Sequence, residues 1–518
     1  MVKTLYCGAS SACFELENKL PYYAPAQFTV CLNGKEVSKH DTNVFSIFGL
    51  DPDTDYEVTV CNDEMNEKFS IHTKSETCVV NVKDFGAKGD GVTDDTVPIQ
   101  TAVHFVPRGG RVFFPAGTYL TLPIALRSHT TIEFAEGVTL LGSTDRERYP
   151  ILPGYVLDCH DFKEVHYGVF EGYAVDMYQS LICAEYAEDI TIIGPGTVDG
   201  NAQNGDWWQH FTEFPASRPR LLFFNRCKDV TIHGIHACNA AAWQLHPYFT
   251  KNFNLYDVFV SAPKISPNTD AMDPESCDYV NIIGCRFSVG DDCIAIKSGK
   301  IELGKQFKQP ADHHTIRNCL MAFGHGAITL GSEIGAGVTN LNVEQCYFKG
   351  TDRGLRIKTR RGRGEYSVIE NVEFDNIRME DVLTPIVINM WYNKCDPDGD
   401  SEYVWSREHL PVDDRTPHLG SFAFTNMVCT GAQVAACYID GLPEAPVDSV
   451  KFENVDIQFA EECTPSVPAM MTYEKKVSKM GLYLDNVKDI KLKNVTVEGY
   501  EGDVIIADHY EKLDVDEM

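Results

Sequence analysis

Four short motifs place acids, an imidazole and cations in an order that could serve one reaction: Asn268-Thr-Asp270, Gly290-Asp-Asp292, Gly324-His-Gly326 and Arg356-Ile-Lys358. Three carboxylates in one place are what acid–base cleavage of a glycoside needs. One protonates the leaving oxygen and another activates water. Three crowded carboxylates cannot all be ionised comfortably, so one of Asp270, Asp291 and Asp292 is expected to hold a proton. The residues alone leave open which one, and the titration belongs to the set. The motif order adds an imidazole, His325, and then two cations, Arg356 and Lys358. An arginine fork matches a carboxylate in two hydrogen bonds, so the pair suits an acidic sugar. Each tripeptide by itself is more often a turn or an exposed strand than a site. Only the four in order carry the argument.

The spacing says what must position them. Asp270 to Asp291 is 21 positions, Asp292 to His325 is 33, and His325 to Arg356 is 31. A coiled β-structure with rungs of that length would stack the motifs roughly 4.8 Å apart on one face. The chain carries the matching loose repeat from about residue 185. Short Val/Ile runs stand beside Asn, Asp or Gly turns, as in Asp189-Ile-Thr-Ile-Ile-Gly, Asp229-Val-Thr-Ile-His-Gly and Tyr279-Val-Asn-Ile-Ile-Gly. The starts Phe253, Val280, Thr315, Leu341 and Ile369 are separated by 27, 35, 26 and 28. That variation excludes a fixed-period propeller and fits β-helix coils with loops of different length. Helical signals are sparse after residue 106, against a doubly wound α/β fold. Cys285, Cys319 and Cys346 recur in similar contexts and read as a column of small buried residues rather than a metal or redox site. Thr93, Asp94 and Asp95 are helix starters for a segment ending near Val106. Arg111-Val-Phe-Phe-Pro-Ala-Gly-Thr-Tyr119 then reads as strand plus turn.

Together, the stretch from Val82 and the four motifs resemble the polygalacturonase family of glycoside hydrolases, family 28, over about 82 to 500. The resemblance implies an all-β fold, a right-handed parallel β-helix, as the catalytic domain at 78–518. It implies Asp291 as general acid, Asp270 and Asp292 holding and deprotonating water, and His325 supporting the acid. Arg356 and Lys358 would bind galacturonate beyond the scissile bond. The segments Ala242-Trp-Gln-Leu-His-Pro247 and Asp292-Cys-Ile-Ala-Ile-Lys-Ser-Gly299 also resemble family members. With the first motif, they put His246, Asn268 and Lys297 among the expected substrate-binding residues. Carboxylates one rung apart would lie roughly 5 Å from each other, nearer the separation of retaining enzymes. The family inverts configuration, and three acids sharing one water need not follow a rule for pairs. Ala271 stands where the family often has Gly. The resemblance implies no metal or other cofactor. Rhamnogalacturonan-cleaving relatives usually lose the His and Arg-Ile-Lys motifs, so their presence points to galacturonate on the leaving side. A pectate lyase, a hydrolase of xylogalacturonan or rhamnogalacturonan, and a non-catalytic binding β-helix remain the competing readings.

Residues 1–77 differ in style. Phe48-Gly-Leu-Asp-Pro-Asp-Thr-Asp-Tyr-Glu-Val-Thr-Val60 places Tyr56, Val58 and Val60 in alternation, which is a half-buried strand. Leu50, Pro52, Thr54 and Tyr56 resemble the tyrosine corner of a fibronectin type III sandwich. Such a domain reads as packing or spacer, with no exposed aromatic cluster for carbohydrate. This pairing of domains resembles bacterial exo-acting members. Two insertions, about 144 to 180 and Trp391 to about Gly420, could wall off a groove and favour attack at chain ends. Trp391, Tyr392, Tyr403 and Trp405 could stack on sugars there.

The chain has 518 residues and 75 Asp+Glu against 45 Lys+Arg, a formal net charge of −30. Such a body repels nucleic acid and anionic membrane. The exception is residues 353 to 364, Arg-Gly-Leu-Arg-Ile-Lys-Thr-Arg-Arg-Gly-Arg-Gly, with six cations and no acid. Arg360, Arg361 and Arg363 are expected to extend binding to further units of a galacturonate oligo- or polysaccharide. No apolar run of membrane-spanning length and no signal peptide are read, and 18 Cys without a CxxC suggest a reducing, cytoplasmic setting. Oligomeric state does not follow from the sequence.

Overall fold

The computed structural model describes residues 1–160, 163–394, 399–472 and 475–517. From Val79 onward the short Val/Ile runs pair in parallel, each with the run one rung later, and wind a right-handed parallel β-helix. Side chains alternate along each strand, so inward residues of successive rungs stack in columns. One column is Val230, Phe253, Val280, His314, Leu341 and Val372. It corrects two expected members. The slot read for Thr315 belongs to His314, and the slot read for Ile369 belongs to Val372. A histidine in an apolar column breaks the pattern. His314 is buried, bonds the Cys277 carbonyl at 3.2 Å, and is pushed down to about 4 by burial, so it packs as a neutral ring. Ile369 pairs with Val338 instead. Asn340 and Asn371 take left-handed turn conformations, and Asn371 donates to Asn340 at 3.1 Å, which accounts for the Asn in the repeat. Cys285, Cys319 and Cys346 are fully buried and point their thiols at carbonyls of the preceding rung.

A helix, Thr96–Phe105, covers the first rung with Ile99, Ala102 and Val103. Asp94, one residue before the N-cap position, accepts the Thr96 N–H at 3.0 Å. Asp95, also expected to cap, instead accepts the N–H groups of Lys88 and Gly89 at 2.7 and 2.9 Å and ties down the preceding loop.

Residues 2–72 form seven strands: β1 (Val2–Cys7), β2 (Ser11–Leu16), β3 (Tyr23–Leu32), β4 (Lys35–Thr42), β5 (Val44–Phe48), β6 (Asp55–Cys61) and β7 (Asn66–His72). They make two antiparallel sheets, ordered β1-β2-β5 and β4-β3-β6-β7, around Phe14, Phe28, Val30, Phe45 and Val58. This sandwich docks on strand ends of the long sheet. Glu15 takes Arg317 in a two-pronged pair at 2.7 and 2.8 Å. Phe48 stacks on His233 with centroids 5.0 Å apart. Gly284 admits Val44, because a Cβ there would stand 2.4 Å from the valine. No helix among the described residues is long and apolar enough to cross a membrane.

Candidate active site

The cleft lies on another wall of the β-helix. There Leu245, Met272, Ile294, Ile328, Leu355 and Ile386 stack inward in register. At Met272 the wall thins to isolated bridges, so Asp270 stands on irregular backbone between two regular ladders. The next rung brings Asp291 and Asp292 through the turn before strand Ile294–Ile296. His325 follows in the turn one rung on, its N–H bonded to the Asp291 carbonyl at 3.0 Å. In strand Arg353–Lys358, Leu355 and Ile357 are buried inward, so Arg356 and Lys358 point outward beside Asp292.

The four motifs meet. Oxygens of Asp270, Asp291 and Asp292 lie within 4.8 Å of one another. Arg356 Nη1 and Lys358 Nζ each donate to a different oxygen of Asp292 at 3.0 Å. His325 Nδ1 is 3.3 Å from Asp291 Oδ1, which also accepts the Asp292 N–H at 2.9 Å. Arg218 donates to Asn268 Oδ1 at 2.7 Å and fixes the first motif. The enclosed space is about 370 Å³.

The environments pull the acids apart. Burial, then the charges of Asp291 and Asp273, push Asp270 well above the usual carboxylate range. Burial opposes the charge of Asp292 too, but Lys358 and Arg356 overcome it and hold Asp292 well below that range. The hydrogen bond to Asp291 raises His325 against the opposing effect of its burial. Three acids this close offer oxygen donors that a cation could bridge, yet Arg356 and Lys358 already take both oxygens of Asp292. What is left is a cleft with Asp292 held ionised, Asp270 inclined to keep a proton, and cations along one side.

Of the expected binding residues, Asn268, Lys297, Arg356 and Lys358 line the cleft. Lys297 is held from below, with Nζ 2.8 Å from Glu333 and 3.7 Å from Asp273. Burial resists its charge, but these acids keep it protonated. His246 is not on the cleft. It is fully buried behind Trp243, 3.1 Å from Glu275 and 3.4 Å from Arg220. Arg361 is a strut: its side chain is 1% exposed, pairs with Glu444 at 2.5 Å and donates to the carbonyls of Tyr403, Ser406 and Glu408. Arg360 and Arg363 are buried as well, and none of the three lines the cleft. Of the four loop aromatics, Tyr392 lines the cleft, whereas Trp391 is core, donating to Asp440 at 2.7 Å between Arg361 and Arg407. Residues 395–398 of that insertion and 161–162 of the other lie outside the described residues.

Sequence reasoning missed Glu171, Trp243, Glu333, Asp352 and Met470, which also line the cleft. Glu333 sits one rung from Lys297 and follows Gly331, so the repeat could have revealed it. Met470 arrives on a loop with no motif, held where Arg353 donates to the carbonyls of Val467 and Pro468 at 2.7 and 2.8 Å.

A parallel β-helix with three acids, an imidazole and two cations in one cleft is the frame of a glycoside hydrolase. The sequence model described as "Glycosyl hydrolases family 28" matches residues 168–466, more than half of the chain, and this chain belongs to that family. A second model, "Rhamnogalacturonase A/epimerase, pectate lyase-like", matches residues 79–147. A "Probable polygalacturonase" of Vitis vinifera is 30% identical over 390 residues, covering 73% of this chain and 74% of that protein. An exopolygalacturonase structure from Thermotoga maritima superposes with TM-score 0.65 at 27% identity, covering 81% of this chain and 92% of that one. The family 28 exopolygalacturonase of Yersinia enterocolitica superposes with TM-score 0.70 at 20% identity, over 100% of this chain and 98% of that one, which shows the shared fold.

Proposed function

We propose that this protein hydrolyses the α-1,4 bond between galacturonate units of polygalacturonate and its oligomers, working from a chain end with inversion. The observation that carries the reading is Asp292 tied to Arg356 and Lys358 beside Asp270 and Asp291. Two cations keep Asp292 ionised, so the protonated acid is one of the other two. Burial pushes Asp270 up, but on geometry we assign delivery of the proton to Asp291, whose carboxyl is a quarter exposed to the cleft and stands beside His325. Asp270 and Asp292 hold the attacking water between them, and Asp292 accepts its proton. Arg356 and Lys358 face the leaving-side sugar and match its carboxylate. Similarity to polygalacturonases of plants and bacteria supports the substrate class.

The two insertions, about 144 to 180 and Trp391 to about Gly420, bring Glu171 and Tyr392 to the cleft wall, which supports attack at chain ends. The test is a time course of products on polygalacturonate. Short product accumulating with little loss of viscosity is expected. Early mixed oligomers would reject exo action, and an unsaturated product absorbing in the ultraviolet would reject hydrolysis in favour of elimination.

We read residues 1–77 as a fibronectin type III-like brace. Its strand order fits, and Tyr56 Oη accepts the Asp51 N–H at 2.9 Å as a tyrosine corner does. None of its described residues lines the cleft. The described cysteines are unpaired, which fits a reducing compartment.

A further inference from the structure

A loop from the late rungs returns to the cations of the cleft. Ser466 and Val477 exchange both backbone hydrogen bonds, at 3.0 and 2.9 Å, and close its base. Arg353 holds the Val467 and Pro468 carbonyls, and Asn389 Nδ2 donates to the Met470 carbonyl at 3.1 Å. Tyr392 pairs with Met471 in an antiparallel bridge. Ala469 and Met471 are buried in the core of the β-helix, so Met470 between them turns to the cleft. Its position is therefore fixed by the backbone on both sides.

Met470 Sδ accepts Arg356 Nη2 at 2.7 Å, while Nη1 of the same guanidinium donates to Asp292 at 3.0 Å. The next residue repeats the arrangement. Met471 Sδ accepts Arg407 Nη2 at 3.3 Å, while Arg407 Nη1 donates to the two oxygens of Asp440 at 2.9 and 2.8 Å. Two arginines thus divide their forks between an acid and a thioether. Neither Met471 nor Arg407 lines the cleft, so only the first pair meets a substrate there.

The choice of sulfur has a chemical consequence. A thioether is a weak, uncharged acceptor. It fixes the plane of the guanidinium and takes none of its charge. A carboxylate makes a shorter, charge-assisted bond to the same N–H and displaces the sulfur. A second acid at this place would instead hold the fork shut. Methionine sulfoxide lies between the two, because its oxygen is polar and accepts more strongly than the sulfur did.

We propose that Met470 is a positioning residue for Arg356, whose thioether holds one arm of the fork until the substrate carboxylate takes it, and that oxidation of this sulfur weakens substrate binding. The oxidant is a peroxide. One peroxide oxygen bonds to sulfur as the O–O bond breaks. The sulfur gives up two electrons, and the other oxygen leaves with both protons as water. The sulfoxide oxygen then competes with the substrate carboxylate for Arg356. This inference rests on the proposed galacturonide hydrolysis.

The test follows trigalacturonate cleavage by the full chain before and after hydrogen peroxide, with peptide masses reporting oxygen gained at Met470. Met470→Leu keeps the volume and loses the acceptor. It should raise KM about 3-fold and leave kcat nearly unchanged, as the loss of one weak hydrogen bond requires. Peroxide should raise the wild-type KM about 10-fold, and methionine sulfoxide reductases should restore it. The same treatment should leave Met470→Leu where it was. Met471→Leu, on the pair outside the cleft, should respond to peroxide as the wild type does. The proposal is overturned if Met470 stays unoxidised, if it gains oxygen with KM unaltered, or if peroxide acts equally on Met470→Leu. Equal KM for untreated Met470→Leu and wild type removes the positioning role. A wild type inert on every galacturonide defeats the hydrolase reading instead, and trigalacturonate affinity by calorimetry then decides the same comparison for Met470.

Discussion

The basic run from Arg353 to Arg363 divides into two halves with different fates. Arg353, Arg356 and Lys358 line the cleft, and the last two pair with Asp292 on an open face. Arg360, Arg361 and Arg363 lie beyond the end of strand Arg353–Lys358 and turn under the wall, where Arg361 meets Glu444. Along the strand, alternation with the inward Leu355 and Ile357 turns Arg356 and Lys358 outward, whereas Arg353, on the inward parity at the strand's first residue, reaches the cleft edge by bonding the Val467 and Pro468 carbonyls. Past its end nothing enforces that direction, and a buried acid decides. Charge density in a sequence therefore marks where cations are, whereas strand periodicity marks which of them face a ligand.

The contrast is tested first through the acid that the outward half holds. Asp292→Asn removes the acid that the two cations hold ionised and leaves Arg356 and Lys358 without their counter-charge. Turnover on oligogalacturonides should fall by about 10²- to 10⁴-fold, the range for losing an acid–base group. Fold and melting temperature should change much less. Wild-type turnover in this variant would remove Asp292 from the chemistry.

The inward half should answer through stability instead. Arg361→Met leaves Glu444 buried without its partner, at a cost of about 3–5 kcal/mol. The expected result is a lower denaturation midpoint with KM unaltered in the folded protein. The double variant Arg361→Met with Glu444→Leu should recover most of the loss. A raised KM with unaltered stability would return Arg361 to the substrate.

What could be read without coordinates follows the same line. The motifs that repeat with the coil, Asp270, Asp291, Asp292, His325, Arg356 and Lys358, came together because a rung-to-rung ladder converts spacing into proximity. His246 follows the inward Leu245 and so faces outward beside Phe223 and Tyr248, but Val169 and Met177 of the insertion pack on that face, so alternation gave its direction and not its exposure. Thr315 was misread by one place for a related reason: a buried neutral histidine looks polar in a sequence and apolar in a core. The end walls were the least legible. Insertion lengths marked that something covers the groove, but Glu171 arrives by a two-residue turn and Met470 by a loop, and neither repeats.

Within the outward half, Arg356 and Lys358 should not be interchangeable with each other's chemistry. Arg356→Lys keeps the charge and loses the fork that matches a carboxylate. KM should rise about 10-fold, with a smaller change in kcat, because the variant loses one charge-assisted hydrogen bond of about 1.5 kcal/mol. The same substitution at Arg361 should again lower stability rather than affinity. Equal KM for Arg356→Lys and wild type would mean that the guanidinium serves Asp292 alone.

The smallest expected effect concerns His325, which lies between the acids and the cations. Its hydrogen bond to Asp291 raises its pKa in the folded protein above the ordinary 6.5, against the opposing pull of burial. A raised folded value means that the stabilisation is complete below the unfolded pKa and is lost as pH rises through the folded one. The ring therefore holds its proton to higher pH than a free imidazole does, beside the Asp291 carboxyl. Titration of the His325 ring by NMR should give a midpoint above 6.5 in the wild type and a lower one in Asp291→Asn. Asp352 also raises the ring, so Asp352→Asn should lower the midpoint by less than Asp291→Asn does, the hydrogen bond being the larger influence. An unchanged midpoint in Asp291→Asn would break the link between imidazole and acid.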